Sequence, residues 1–91
     1  MTAILWNTNS PHSPLRDHEL VELRLVDLGG TEGHRYLVRE IHAAWSASDQ
    51  QIRWKGFKDE IYGDEGDALR SFDARKTTNL SAGFPYAMSL S

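Results

Sequence analysis

From Leu20 to Leu28 the chain reads LVELRLVDL, with apolar Val21, Leu23 and Leu25 alternating with charged Glu22 and Arg24. A period of two belongs to a strand with one wet face and does not suit a helix. The segment that follows, GGTEG, supplies Gly29, Gly30 and Gly33, residues that reach the positive φ values of a hairpin loop without steric cost. The chain is therefore expected to double back there and pair with itself.

What it pairs with is the hardest part of the sequence. In HRYLVREIHAAW the residues Leu37, Val38, Ile41, Ala44 and Trp45 fall at helical spacing, so residues 34–46 admit a helix or a strand. Gly33 at the first turn, the missing Glu or Gln three residues after Thr31, and the β-favouring Tyr36, Val38 and Ile41 favour a strand, with a bulge near Arg39 and Glu40. Ser46 to Gln50 is a polar turn, and Gln51 to Phe57 returns as a further strand with Ile52 and Trp54 on one face. The acidic run DEIYGDEGD then leads into a helix beginning near Asp64, whose first turn carries Glu65 and Asp67 against the positive end of the dipole. Ala68, Leu69 and Phe72 form its apolar face, Arg75 and Lys76 are placed to complement its C-terminus, and Asn79 stops it.

These elements predict an α+β fold, a small three-stranded antiparallel meander packed against one C-terminal helix. The 91 residues make one small domain: an N-terminal strand and loop over 1–19, the meander over 20–57, the helix over 64–78, and a tail or edge strand over 80–91. Ala3 to Trp6 is the N-terminal strand candidate, and Asn7 to Pro14 is a loop broken by two prolines. Leu23, Leu25, Ile52, Leu69 and Phe72 are expected to share the core.

Composition excludes several functions. With no cysteine there is neither a disulfide nor a thiolate metal site, which is compatible with a reducing, cytoplasmic setting inside the cell. The opening MTAILWNTNS has no basic region or apolar run of the kind that marks a leader, and no stretch approaches a membrane span. A formal net charge of −3 speaks against direct nucleic-acid binding through counterion release. His12, His18, His34 and His42 lack metal-ligand spacing, and from Asp59 the positions a calcium loop would use read Asp59, Ile61, Gly63 and Asp64. No phosphate-cradling loop, dinucleotide fingerprint or nucleophile elbow occurs. No metal or cofactor is expected, and no catalytic residue is assigned. Glu40 with His34 and His42 on one strand face is the nearest approach to acid–base chemistry, and a solvated strand face explains the same trio.

The aromatic residues carry a resemblance. Tyr36-Leu-Val38-Arg-Glu-Ile41, then Ile52-Arg-Trp54-Lys55-Gly56-Phe57 and a helix, resembles the order of elements in chromodomains over residues 36–76. The resemblance implies that Tyr36, Trp54 and Phe57 form a cage for a methylated lysine, on a peptide that adds to the sheet as a strand. The meander followed by a helix ending near Gly83-Phe84 is also similar to WGR domains, although Trp45-Ser-Ala stands nearest to their defining triplet. In a domain this small the same rings are candidate core, and Trp54 is expected to be buried, with Tyr36 and Phe57 less so.

The leading functional reading is a non-enzymatic module that binds a protein or peptide partner through aromatic surface around the Trp45–Phe57 hairpin. Two alternatives stand beside it. One is a small acidic inhibitor of phage type, similar to anti-CRISPR proteins, in which Asp59, Glu60, Asp64, Glu65 and Asp67 imitate phosphates of a nucleic acid. The other is a metal-free acid–base enzyme around Glu40 and His42.

Overall fold

A computed structural model of the chain describes residues 1–7, 15–30, 33 and 35–90. Strands β1 (Thr2–Trp6), β2 (His18–Gly29), β3 (Arg35–Ser46) and β4 (Gln51–Tyr62) are followed by helix α1 (Glu65–Ser81) and strand β5 (Tyr86–Leu90). All five strands join one antiparallel sheet in the order β4-β3-β2-β1-β5. The fold is α+β as expected, but the sheet has five strands rather than three. Short terminal strands escape a periodicity argument, because five residues such as TAILW or YAMSL hold too few alternations to read. Their pairing supplies the order instead, with Leu5 opposite both Val21 and Ala87.

The glycine loop turns as the sequence implies. Gly30 has φ 146°, and a Cβ there would stand 2.4 Å from the Gly33 carbonyl oxygen, so no other residue fits without moving the backbone. Residues 35–46 are a strand, because β3 lies between β2 and β4 and takes hydrogen bonds from both sides. Its helix-like stripe has a simple origin. Val38 faces α1 while Leu37 and Ile41 face away, so apolar residues of both parities interleave and blur the period of two.

The bulge lies elsewhere than expected. Between β3 and β4 the register steps from His42↔Gly56 to Ala43↔Trp54, which leaves Lys55 as an extra residue on β4. Arg39 and Glu40 are regularly paired, with Asp59 and Lys58. A second shift, between Asp27 and Gly29, leaves Leu28 unpaired with β3 at the end of β2.

Helix α1 crosses one face of the sheet. Ala3, Leu5, Val21, Leu23, Val38, Ala68 and Phe72 form the buried cluster beneath it, with Leu25, Tyr36, Tyr62 and Phe84 packed at its border. Of the expected core, Leu23 and Phe72 are central, Leu25 is at the border and Leu69 is half-buried. Ile52 is 45% exposed, because its partner in β3 is Trp45 and both point away from the helix.

Asp64 caps α1 as the sequence suggests: it is extended, and its carboxylate accepts a hydrogen bond from the Asp67 amide at 3.3 Å. The C-terminus differs. No basic residue sits in the last turn. Arg75 points into the seam with the sheet and Lys76 reaches Ser89 Oγ. Asn79 does not stop the helix: it is buried, its amide donates to the Arg75 carbonyl at 2.8 Å, and its own carbonyl accepts from Ala82 and Phe84.

Candidate interaction surface

Helix α1 covers one face of the sheet; among the described residues no helix or strand is layered on the other, where Trp6 and Ala43 are nonetheless buried. Because paired residues in an antiparallel sheet point the same way, the register defines that open face. It carries Ile4 and Trp6 from β1, Leu20 and Val26 from β2, Leu37, Ile41 and Trp45 from β3, and Ile52, Trp54, Phe57 and Ile61 from β4. Nine large hydrophobic residues are exposed among the described residues, and five of them, Val26, Ile52, Trp54, Phe57 and Ile61, lie here. Exposed apolar surface is thus gathered on one side.

Trp54 and Phe57 are three residues apart, which in a regular strand would send them to opposite faces. The Lys55 bulge restores their phase, so Trp54 sits beside Ala43 and Phe57 beside Ile41 on the same side. Trp54 is 66% and Phe57 70% exposed, which corrects the expectation that Trp54 belongs to the core. Its physical cause is position: β4 is an edge strand, the helix lies on the other face, and the large core residues are instead Leu5, Leu23, Val21 and Val38. Trp6, in contrast, is almost fully buried.

With Arg39, Ile41 and Gly56, the two rings line a shallow hollow of about 380 Å³. Arg39 is held there by two parallel hydrogen bonds to Asp59, at 2.8 and 2.9 Å, and its guanidinium stands 5.7 Å from the centre of the Phe57 ring. The hydrogen bond from Arg39 draws the Asp59 carboxyl below the usual aspartate range against an opposing desolvation, and Asp59 in turn raises the guanidinium. The other charged pair on this face, Arg24 and Glu22, is also closed on itself. The open face is therefore apolar with its charges internally matched.

The structure does not bring the three cage candidates together. Tyr36 pairs with Tyr62 on the helix side, against the core, where burial and then Asp27, Glu65 and Asp64 raise its hydroxyl above the ordinary tyrosine value. Trp54 and Phe57 are on the opposite face, many residues along the sheet. The cation that stands over Phe57 is the chain's own Arg39.

The acidic candidates are dispersed as well. Asp59 is on the open face with Arg39, and Glu60 is on the helix side with Arg75 at 2.6 Å. A hydrogen bond from Tyr62, followed by the Arg75 charge, lowers the Glu60 carboxyl. Asp64 caps the helix, Asp67 pairs with Arg70, and Glu65 lies in the first turn.

On the helix side Glu40 and His42 do meet, with Oε2 and Nε2 2.6 Å apart. His12 and His34 lie outside the described residues. Arg75 stands over the pair, its Nη1 3.9 Å from Glu40, and its Nη2 reaches Glu60. Tyr62 hydrogen-bonds both Glu60 and Ser71 at the same seam. The cluster ties α1 to β3 and β4, and its geometry is that of a bridge between layers. Among the described residues, no group of three or more His, Asp or Glu is arranged to hold a metal, and no helix is long and apolar enough to cross a membrane.

Sequence reasoning missed the breadth of the open face. The signal was present in Val26, Leu37, Ile41 and Ile61, apolar residues at the parity opposite to the core residues of their own strands. Compared with family models, curated proteins and solved structures, the chain matches none.

Proposed function

We propose that this protein is a non-enzymatic interaction module that docks a protein partner on the open face of its sheet, around Trp54 and Phe57. The observation that carries the reading is the clustering of exposed Val26, Ile52, Trp54, Phe57 and Ile61 on that face. Monomeric proteins seldom leave this much apolar side chain to water on one face, and exposed aromatics are the residues that dominate binding energy at interfaces. Among the described residues its charges are matched, Arg39 with Asp59 and Arg24 with Glu22, which leaves no free cation there of the kind a phosphate backbone requires. These features favour a protein surface over a nucleic acid.

A photo-crosslinking residue at Phe57, compared with one at Asp73 on the exposed side of α1, tests the proposal in a lysate. The Phe57 probe should capture a discrete protein that unlabelled chain competes away and that Trp54→Ser abolishes, while the Asp73 probe captures none. Identical capture by both probes, or capture indifferent to Trp54→Ser, would sink the assignment. A trimethyl-lysine peptide should not be distinguished from its unmodified form by Trp54 fluorescence, since Tyr36 stands on the other face; clear discrimination would return the cage to contention.

A further inference from the structure

The edge of β4 is a second surface, distinct from the open face and independent of the function proposed for it. β4 runs for twelve residues with β3 on one side and, among the described residues, no strand on the other. Such an edge offers a row of backbone donors and acceptors to any strand that can match it. Its residue pattern says what can match.

The N-terminal half carries Ile52, Arg53 and Trp54, and the C-terminal half carries Asp59, Glu60 and Ile61. Run antiparallel against a copy of itself, the strand therefore places cation against anion and Ile against Ile. Parity makes the test sharper. Ile52, Trp54, Phe57, Asp59 and Ile61 share the open face, whereas Arg53, Gly56, Lys58 and Glu60 share the helix face. A uniform register cannot keep both halves in phase: with Phe57 on Phe57, Trp54 would meet Glu60 across opposite faces. Skipping Lys55 on each strand, as β3 already does, removes every mismatch. Phe57 then meets Phe57, Trp54 meets Asp59, Arg53 meets Glu60 and Ile52 meets Ile61. Lys58 falls opposite Gly56, where a Cβ would meet nothing within 4 Å and the lysine has room.

We infer that β4 pairs antiparallel with β4 of a second copy of this chain, about a twofold axis through Phe57 and perpendicular to the sheet. The result is one ten-stranded sheet. Both helices lie on one side of it, and the two Trp54–Phe57 hollows meet across the axis on the other. Each Arg53, which pairs with Asp49 in its own chain, faces Glu60 of the second copy, which holds its own Arg75, so the contact joins two existing ion pairs into a network across the axis.

The chain contains no cysteine, so single introduced cysteines report this register without interference. In an antiparallel pair the opposed Cα atoms are ~4.5 to 5.5 Å apart, within disulfide reach. Phe57→Cys should oxidise to a covalent dimer by itself. Ile52→Cys and Ile61→Cys should cross-link when mixed and not singly, because each lies four or five positions from the axis and ~25 Å or more from its own copy. Sedimentation of the unaltered chain should show a particle of twice 10.3 kDa, and Arg53→Glu should weaken it about tenfold as two charge pairs turn repulsive. A monomer at every concentration up to millimolar overturns the inference. So does cross-linking by Ile61→Cys alone as readily as by the Ile52→Cys and Ile61→Cys mixture, which would indicate contact through another surface.

Discussion

Replacing Trp54 by alanine separates a surface ring from a core ring by measurement. Trp54 is 66% exposed, so about a third of its area is covered in the folded chain. A fully buried aromatic covers ~150 to 250 Å², and a third of that, at ~25 cal/mol per Å², amounts to roughly 1 to 2 kcal/mol. Phe72 is the control, because it is 3% exposed in the cluster under α1. Phe72→Ala should cost about 3 to 5 kcal/mol, the transfer term plus the cavity it leaves. Urea unfolding followed by far-ultraviolet circular dichroism would compare them, with the m-value checking that both transitions remain two-state. In a domain of this size each kcal/mol moves the thermal midpoint by ~4 to 8 °C, so the two variants should be well resolved. Equal destabilisation by Trp54→Ala and Phe72→Ala would refute the argument, since it would mean that the indole is held by contacts as extensive as those of the core.

Two further outcomes follow from named contacts. Asp64→Ala should cost ~1 kcal/mol, while Asp64→Asn, an equally good cap, should leave the urea midpoint near that of the parent; a large loss with Asn would show that charge rather than capping is at stake. Arg39→Met should lower stability at neutral pH, where Asp59 is ionised and held below its ordinary pKa, and the deficit should shrink as the pH falls through ~4 and vanish below the folded value, since protonation removes the interaction from the parent too. A deficit that persists unchanged in acid would mean that Arg39 acts by packing on Phe57.

The parts of the fold that were legible are those in which one local rule had no competitor. The alternation of Val21, Leu23 and Leu25, the glycines of the hairpin and the Asp64 cap each follow from the chemistry of a few adjacent residues. What could not be read depends on neighbours distant in the chain. Whether Trp54 is core or surface turns on which face α1 covers, and both faces of β4 carried large side chains. Arg75 was placed by the helix dipole, whereas two carboxylates across the seam, Glu40 and Glu60, draw it inward. Pairing of Glu40 with His42 was foreseeable from their spacing on one strand, but the guanidinium of Arg75 that stands 3.9 Å from Glu40 was not. The breadth of the open face was hidden for a similar reason: a second apolar parity, as in Leu37 and Ile41, looks like a helical stripe until the strand pairing is known.

The Lys55 bulge also alters how relatives of this chain should be sought. A search template that assumes an unbroken strand would demand aromatics two or four positions apart, and would pass over a Trp-x-x-Phe spacing as two rings pointing in different directions. Here that odd spacing is the mark of a shared face. Sequences that have lost the bulge residue would read Trp-x-Phe in an unbroken strand and would still hold both rings on one face. Compensated insertions and deletions at this point, more than identity at any single position, would trace the descent of the surface.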